Sequence, residues 1–149
     1  IAVISTPGHD SDCCCWYDRQ TKTLITGDSL QGNGTITQGI GFYQSLDDYE
    51  YTLDKLDNMD VDNIINGHDY DQIGDVILGS VNARKALHAC MEYVNLYNEI
   101  ISTLLANGVT DSAEIAKVVI DKVGCGKPSY LFMSIYTVDN HKRRLLNWS

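Results

Sequence analysis

Three apolar runs in this chain each end in a small residue followed by a His or Asp. Residues 1–5 lead into Thr6-Pro7-Gly8-His9, residues 23–26 into Gly27-Asp28, and residues 63–66 into Gly67-His68. A strand leaving a sheet delivers its last side chain to the sheet edge, and glycine there lets the backbone turn without a Cβ clash. A fold that honours all three endings can bring their side chains together at one edge.

Between and beyond these points the pattern alternates strand and helix. Residues 13–18 read as a strand, and the polar turn 19–22 leads into 23–26 as the second arm of a hairpin. Residues 31–41 hold Gly32, Gly34, Gly39 and Gly41, a flexible excursion. Residues 45–59 read as a helix, with Leu46, Tyr49, Leu53 and Leu56 forming one apolar stripe to lay on a sheet. Residues 63–66 form a short strand, so a helix links two strands, an α/β arrangement.

From Asp75 the apolar spacing becomes helical, beginning with Val76 and Ile77, and continues through Leu105 until Gly108 stops it. Thr110 or Asp111 can cap a helix over 112–123, with Glu114 placed for a capping box if Asp111 is the cap. Gly124, Gly126 and Pro128 break the chain before a last helix over 129–148. The division expected is 1–79 and 80–149, the second part helical.

Composition narrows the function classes. With 149 residues, 44% hydrophobic and two prolines, the chain can build one core and is neither disordered nor collagen-like. Its apolar runs fall far short of the roughly 20 residues a membrane span needs, and no signal segment opens it, so a cytoplasmic protein is expected. The net charge of −9 argues against nucleic acid and anionic membrane surfaces as partners, and the short basic patch Lys142-Arg143-Arg144 does not support a winged-helix DNA reader. Five cysteines, three of them consecutive at Cys13, Cys14 and Cys15, give no disulfide framework. They read as small packed hydrophobes, without the Cys-x-x-Cys spacing of redox or metal sites.

Neutral imidazole binds zinc or iron through nitrogen, and a carboxylate can bridge two cations. His9, Asp28 and His68 therefore suit a dinuclear hydrolytic site, although three ligands fill only part of one. The ordered triplet Thr6-Pro7-Gly8-His9, Gly27-Asp28 and Gly67-His68 resembles the C-terminal half of metallo-β-lactamase-fold hydrolases, which include hydroxyacylglutathione hydrolases and lactonases. The resemblance covers residues 1–80. It implies the C-terminal half of an αββα sandwich followed by a helical C-terminal region, and a glycine segment 31–41 that runs beside the active site unless it is a plain surface loop.

The resemblance also assigns roles. Asp28 would be the catalytic bridge between two zinc ions, with iron or manganese as alternatives. His9 would complete the first ion's ligands, and His68 would join the second. By their places in the sequence, Asp10, Asp69 and Asp71 flank the site and would orient imidazoles unless they are solvated turn carboxylates, and Tyr43 would hydrogen-bond a carbonyl or leaving group unless it is an aromatic core or surface contact. The reaction implied is attack of a metal-bound hydroxide on an ester, thioester, lactone or lactam carbonyl of a small-molecule substrate. No protein nucleophile is needed, in keeping with the lack of a Gly-x-Ser-x-Gly turn.

One departure shapes the expectation. The family's His-x-His-x-Asp-His motif, from its N-terminal half, is absent, and the other histidines, His88 and His141, are isolated and read as structural or exposed. The chain also begins with Ile. A fragment with an incomplete metal site, inactive alone and partnered by the missing N-terminal half, is therefore expected. Residues 139–145 weakly resemble the closing helix of such hydrolases, where it shapes the substrate entrance or packs between subunits. Two other readings stand beside the hydrolase: a non-catalytic association domain forming a homodimer through its uncovered sheet or helices, and an iron-dependent oxidoreductase of the same fold.

Overall fold

In a computed structural model the structure describes residues 1–70 and 73–146. Five strands form one sheet in the order β1 (Ala2–Ser5), β2 (Cys14–Asp18), β3 (Thr23–Gly27), β4 (Asn63–Asn66) and β5 (Val76–Leu78). Neighbours pair antiparallel except β3 and β4, which are parallel. Parallel neighbours need a crossover, and helix α1 (Leu46–Asp57) lies within it. Because β1 and β3 both run antiparallel to β2, β1 shares the direction of β3 and β4. The C-terminal ends of all three strands therefore lie at the same edge of the sheet.

Local chemistry sets α1. Ser45 caps its N-terminus by accepting the Asp48 amide, and Asp47 and Asp48 place negative charge at the positive end of the helix dipole. Leu46, Tyr49, Leu53 and Leu56 are all buried, as the spacing predicts. They pack with Cys15, Leu24, Ile64 and Ile77 from one face of the sheet. Cys15 is fully buried with its thiol directed to Thr6 Oγ1 at 3.5 Å, so it packs as the composition suggests.

The opposite face is also apolar but uncovered. Val3 pairs with Trp16, Trp16 with Ile25, Ile25 with Ile65 and Ile65 with Val76, a single row crossing all five strands. These side chains are between 42% and 59% exposed. A sheet with one solvated face normally alternates apolar and polar residues, and this one does not.

The helical part begins later than its periodicity predicts. Val76–Leu78, read as the start of a helix, is strand β5, paired with β4. Gly79, at φ +89°, ends the strand, and α2 spans Ser80–Ala106. The first half of α2 packs on the sheet and α1 through Ala83, Leu87, Cys90 and Val94. Its second half joins a separate apolar cluster through Tyr97, Ile100 and Ile101, with α3 (Ser112–Val123) and α4 (Leu131–Leu145). Asp111 caps α3 by accepting the Glu114 amide at 2.8 Å, and Gly124 closes it in the left-handed conformation. The helix read over 129–148 starts at Leu131, and Trp148 lies outside the described residues. No helix among the described residues is long and apolar enough to cross a membrane.

The glycine segment is not a plain surface loop. Gln31, Gly32, Gly34, Gly39 and Gly41 are buried, and α4 supplies several of the hydrogen bonds of the backbone between Gln38 and Tyr43. Ser134 Oγ donates to Gln38 O and accepts from Ile40 N, Thr137 Oγ1 donates to Gly41 O, and Asn140 Nδ2 donates to Tyr43 O. These helix residues are three apart and form one polar stripe along α4.

Two outcomes follow for stability. Leu53→Ala should cost roughly 2 to 5 kcal/mol, read as a lower denaturant midpoint, because the side chain is fully enclosed. His141 is buried, with Nε2 at 2.6 Å from Tyr43 Oη and Nδ1 at 3.3 Å from Asn98 Oδ1. Burial, reinforced by the Arg144 charge, holds its pKa down at about 3 against an ordinary 6.5. In that interval the unfolded chain binds a proton that the folded chain refuses, so stability falls as pH falls. Moving from about pH 7 to about pH 5 should remove about 2 kcal/mol through His141. Denaturant melts of wild type and His141→Gln at both pH values check this, the difference between the two slopes being the contribution of His141.

Candidate metal centre

The edge where β1, β3 and β4 end is held by short polar contacts. Gly67 N donates to Gly27 O at 3.0 Å, continuing the parallel pairing past the strands. A Cβ at Gly67 would stand 2.5 Å from that same oxygen, so only glycine lets the two ends approach. The Asn66 carboxamide bridges them, accepting from Thr26 Oγ1 at 2.6 Å and donating to His68 O at 3.1 Å.

The β1 ending is fixed against α1. Gly8 has φ +141°, and a Cβ there would meet Tyr49 Cα at 2.6 Å. Its carbonyl accepts from Gln44 N and Ser45 N, while Thr52 Oγ1 donates to Pro7 O at 2.6 Å. Thr6 Oγ1 and Ser29 Oγ, 2.7 Å apart, tie this turn to the one after β3. The helix that makes the parallel crossover thus also seats the His9 turn.

These supports place two imidazoles around one carboxylate. His68 Nε2 is 2.9 Å from Asp28 Oδ1, and His9 Nε2 is 4.0 Å from Asp28 Oδ2. The Asp28 and His68 side chains are about half exposed, at 45% and 48%, whereas His9 is at 20%. His9 is the more enclosed because its Nδ1 lies 3.0 Å from Phe42 O and 3.3 Å from Gln31 Nε2, and Phe42 packs edge-on to its ring.

By chemical type these donors suit a divalent ion such as zinc, iron or manganese. As arranged they are not a closed set. Among the described residues no group of three or more His, Cys, Asp or Glu side chains is placed to hold an ion by itself.

The remaining expected residues are divided. Asp10 accepts from Ser11 N at 2.6 Å and Gln44 Nε2 at 2.8 Å, and the Ser11 amide contributes most to holding its carboxyl below the usual range. It braces the His9 turn. Asp69 lines a cavity of about 150 Å³ with Asn33, Ile36 and Cys125. Asp71 lies outside the described residues. Tyr43 is placed in the core, stacked on Tyr49 at 4.6 Å with its hydroxyl on His141, so it is not positioned to meet a substrate. His88 pairs with Asp57 at 3.1 Å on the exposed side of α2.

Sequence reasoning missed Gln31, Asn66 and the Phe42 carbonyl. The available signals were slight: an amide side chain three residues after Asp28 inside a glycine-rich segment, and an asparagine closing a strand, where that residue type is disfavoured.

The chain is similar to known proteins. Residues 1–68 match the family model described as "Metallo-beta-lactamase superfamily", a match that ends at His68. The Beta-lactamase-like protein 2 homolog of Caenorhabditis elegans is 29% identical over 68 residues, which are 46% of this chain and 21% of that protein. The crystal structure of a metallo-beta-lactamase family protein from Thermus thermophilus superposes with a TM-score of 0.70 at 19% identity, covering 95% of this chain and 43% of that one. The chain thus spans less than half the length of either protein. With the sequence match and the structural match pointing the same way, the chain is a protein of the metallo-β-lactamase fold.

Proposed function

We propose that this chain carries part of the metal site of a metal-dependent hydrolase acting on an ester, thioester, lactone or related carbonyl. The observation that supports it most is the convergence of His9 and His68 on the two oxygens of Asp28. Zinc is the metal best matched to two imidazoles and a carboxylate, with iron or manganese as alternatives. Such ions, when bound, lower the pKa of a water molecule and polarise the carbonyl to be attacked.

The chain's own residues have distinct tasks. Asp28 offers one oxygen to each side of the site, and its negative charge favours cations there. His9 presents Nε2 from a turn locked onto α1. His68 Nε2 lies 2.9 Å from Asp28 Oδ1, and that contact has to open before Nε2 is free to bind an ion.

We assign the chain the role of the C-terminal half of the sandwich, with the N-terminal half that bears His-x-His-x-Asp-His as its partner. Two facts favour this. The chain covers 43% of the solved relative, and the apolar row Val3, Trp16, Ile25, Ile65 and Val76 leaves a full sheet face to be covered. That same row also supports the second reading, an association domain that pairs with another copy of itself.

Zinc content by plasma mass spectrometry, with mass by light scattering, separates the two. The chain alone should retain little zinc. Co-expressed with an N-terminal half it should form a heterodimer that holds two ions and hydrolyses members of an ester, thioester and lactone panel. In that complex Asp28→Asn should lower turnover by orders of magnitude with the melting curve little changed. Near-normal turnover in the variant would remove the hydrolase assignment, and a tight homodimer indifferent to the N-terminal half would favour the association reading.

A further inference from the structure

Gln31 is 1% exposed, and every polar group of its side chain is used. Oε1 accepts from Phe42 N and from Gln38 Nε2, both at 3.1 Å. Two donors on one end fix which way the amide faces, so the other end is the NH2 group. Nε2 donates to Asp28 O at 2.8 Å, and the Gln31 main-chain N donates to Tyr49 Oη at 3.1 Å. One side chain therefore ties the backbone that carries Asp28 to the residue, Phe42, whose carbonyl faces His9.

The Phe42 carbonyl can only accept. At 3.0 Å from His9 Nδ1 it requires the imidazole hydrogen on Nδ1, which leaves the Nε2 lone pair facing Asp28. The distances agree. A protonated Nε2 beside a carboxylate closes to hydrogen-bond range, as His68 does at 2.9 Å, whereas His9 Nε2 stands off at 4.0 Å. With Nδ1 protonated, the approach of Gln31 Nε2 to Nδ1 at 3.3 Å is a packing contact, and its hydrogen bond goes to Asp28 O.

We infer that Gln31 is a positioning residue for the metal site, acting through Phe42 to hold His9 in the Nδ1–H tautomer with Nε2 bare toward Asp28. This rests on the reading of His9 and Asp28 as metal ligands. The tautomer itself is a property of the metal-free chain.

Long-range 1H–15N correlation spectra of the histidine side chains, recorded on the metal-free 149-residue chain, test it. In wild type, His9 shows Nδ1–H. Gln31→Glu keeps both acceptor contacts to Phe42 and Gln38 but turns the donor to Asp28 O into an acceptor whose charge beside Nδ1 also favours Nδ1–H, so His9 stays Nδ1–H. Gln31→Met loses them, and His9 moves to the Nε2–H form that free imidazole favours, while His68, His88 and His141 keep their patterns. Wild-type His9 as Nε2–H, an unchanged His9 in Gln31→Met, or Nε2–H in a folded Gln31→Glu each overturns the inference. If Gln31→Met does not fold, seen as loss of the buried His141 pattern, Gln31→Asn, whose amide is too short to keep the Phe42 contact, takes its place with the same reading.

Zinc added to the same chains assembled with an N-terminal half separates the two claims. Binding weakened roughly 10- to 100-fold in Gln31→Met supports the positioning role. Zinc that never perturbs wild-type His9 defeats the metal reading even when the tautomer result holds.

Discussion

Gly67 N–H donating to Gly27 O is the last rung of the parallel pairing between β3 and β4, and the site depends on it. Parallel pairing sends Asp28 and His68 off the same edge, and two antiparallel steps through β2 bring the β1 ending to that edge as well. The crossover that parallel strands require is then used twice. Helix α1 covers the inner face of the sheet with its leucine stripe, and its first turns receive the close approach of Gly8. Fold and site thus share one cause, the direction of three strands.

The helical region is joined to that edge by polar contacts rather than by the apolar core alone. The stripe Ser134, Thr137 and Asn140 on α4 bonds Gln38 O, Ile40 N, Gly41 O and Tyr43 O, and the same segment delivers the Phe42 carbonyl to His9. Buried loop backbone without such partners would cost on the order of 1–3 kcal/mol for each unpaired group, and α4 shares their provision with Tyr49, Tyr97 and Gln31. The two apolar clusters meet along α2, whose first half faces the sheet and whose second half faces α3 and α4.

What the sequence disclosed is what local spacing can disclose. The strand endings, the stripe of α1 and the Asp111 cap lie within a few residues of one another, and each stands where its pattern places it. Val76–Leu78 was absorbed into the helical pattern because three apolar residues carry no period of their own, and the break depends on the backbone angle of Gly79 alone. Asn66 and the buried course of residues 31–41 escaped for another reason. Their partners lie elsewhere in the chain, Asn66 reaching back to Thr26 and Gln38 forward to Ser134, and no short window contains both members. Tyr43 shows the converse, since its position after the glycine segment left a site role and a core contact both open, and the long-range contact with His141 places it in the core.

The central claim is that His9, Asp28 and His68 serve one metal centre. Anomalous diffraction at the zinc absorption edge, from crystals of the chain assembled with the remainder of its fold and grown with zinc, tests it most directly. The account predicts density bounded by His9 Nε2, the Asp28 carboxylate and His68 Nε2. Zinc held instead by the surface pair His88 and Asp57, or an edge at which His68 keeps its hydrogen bond to Asp28 with no ion between them, would contradict it.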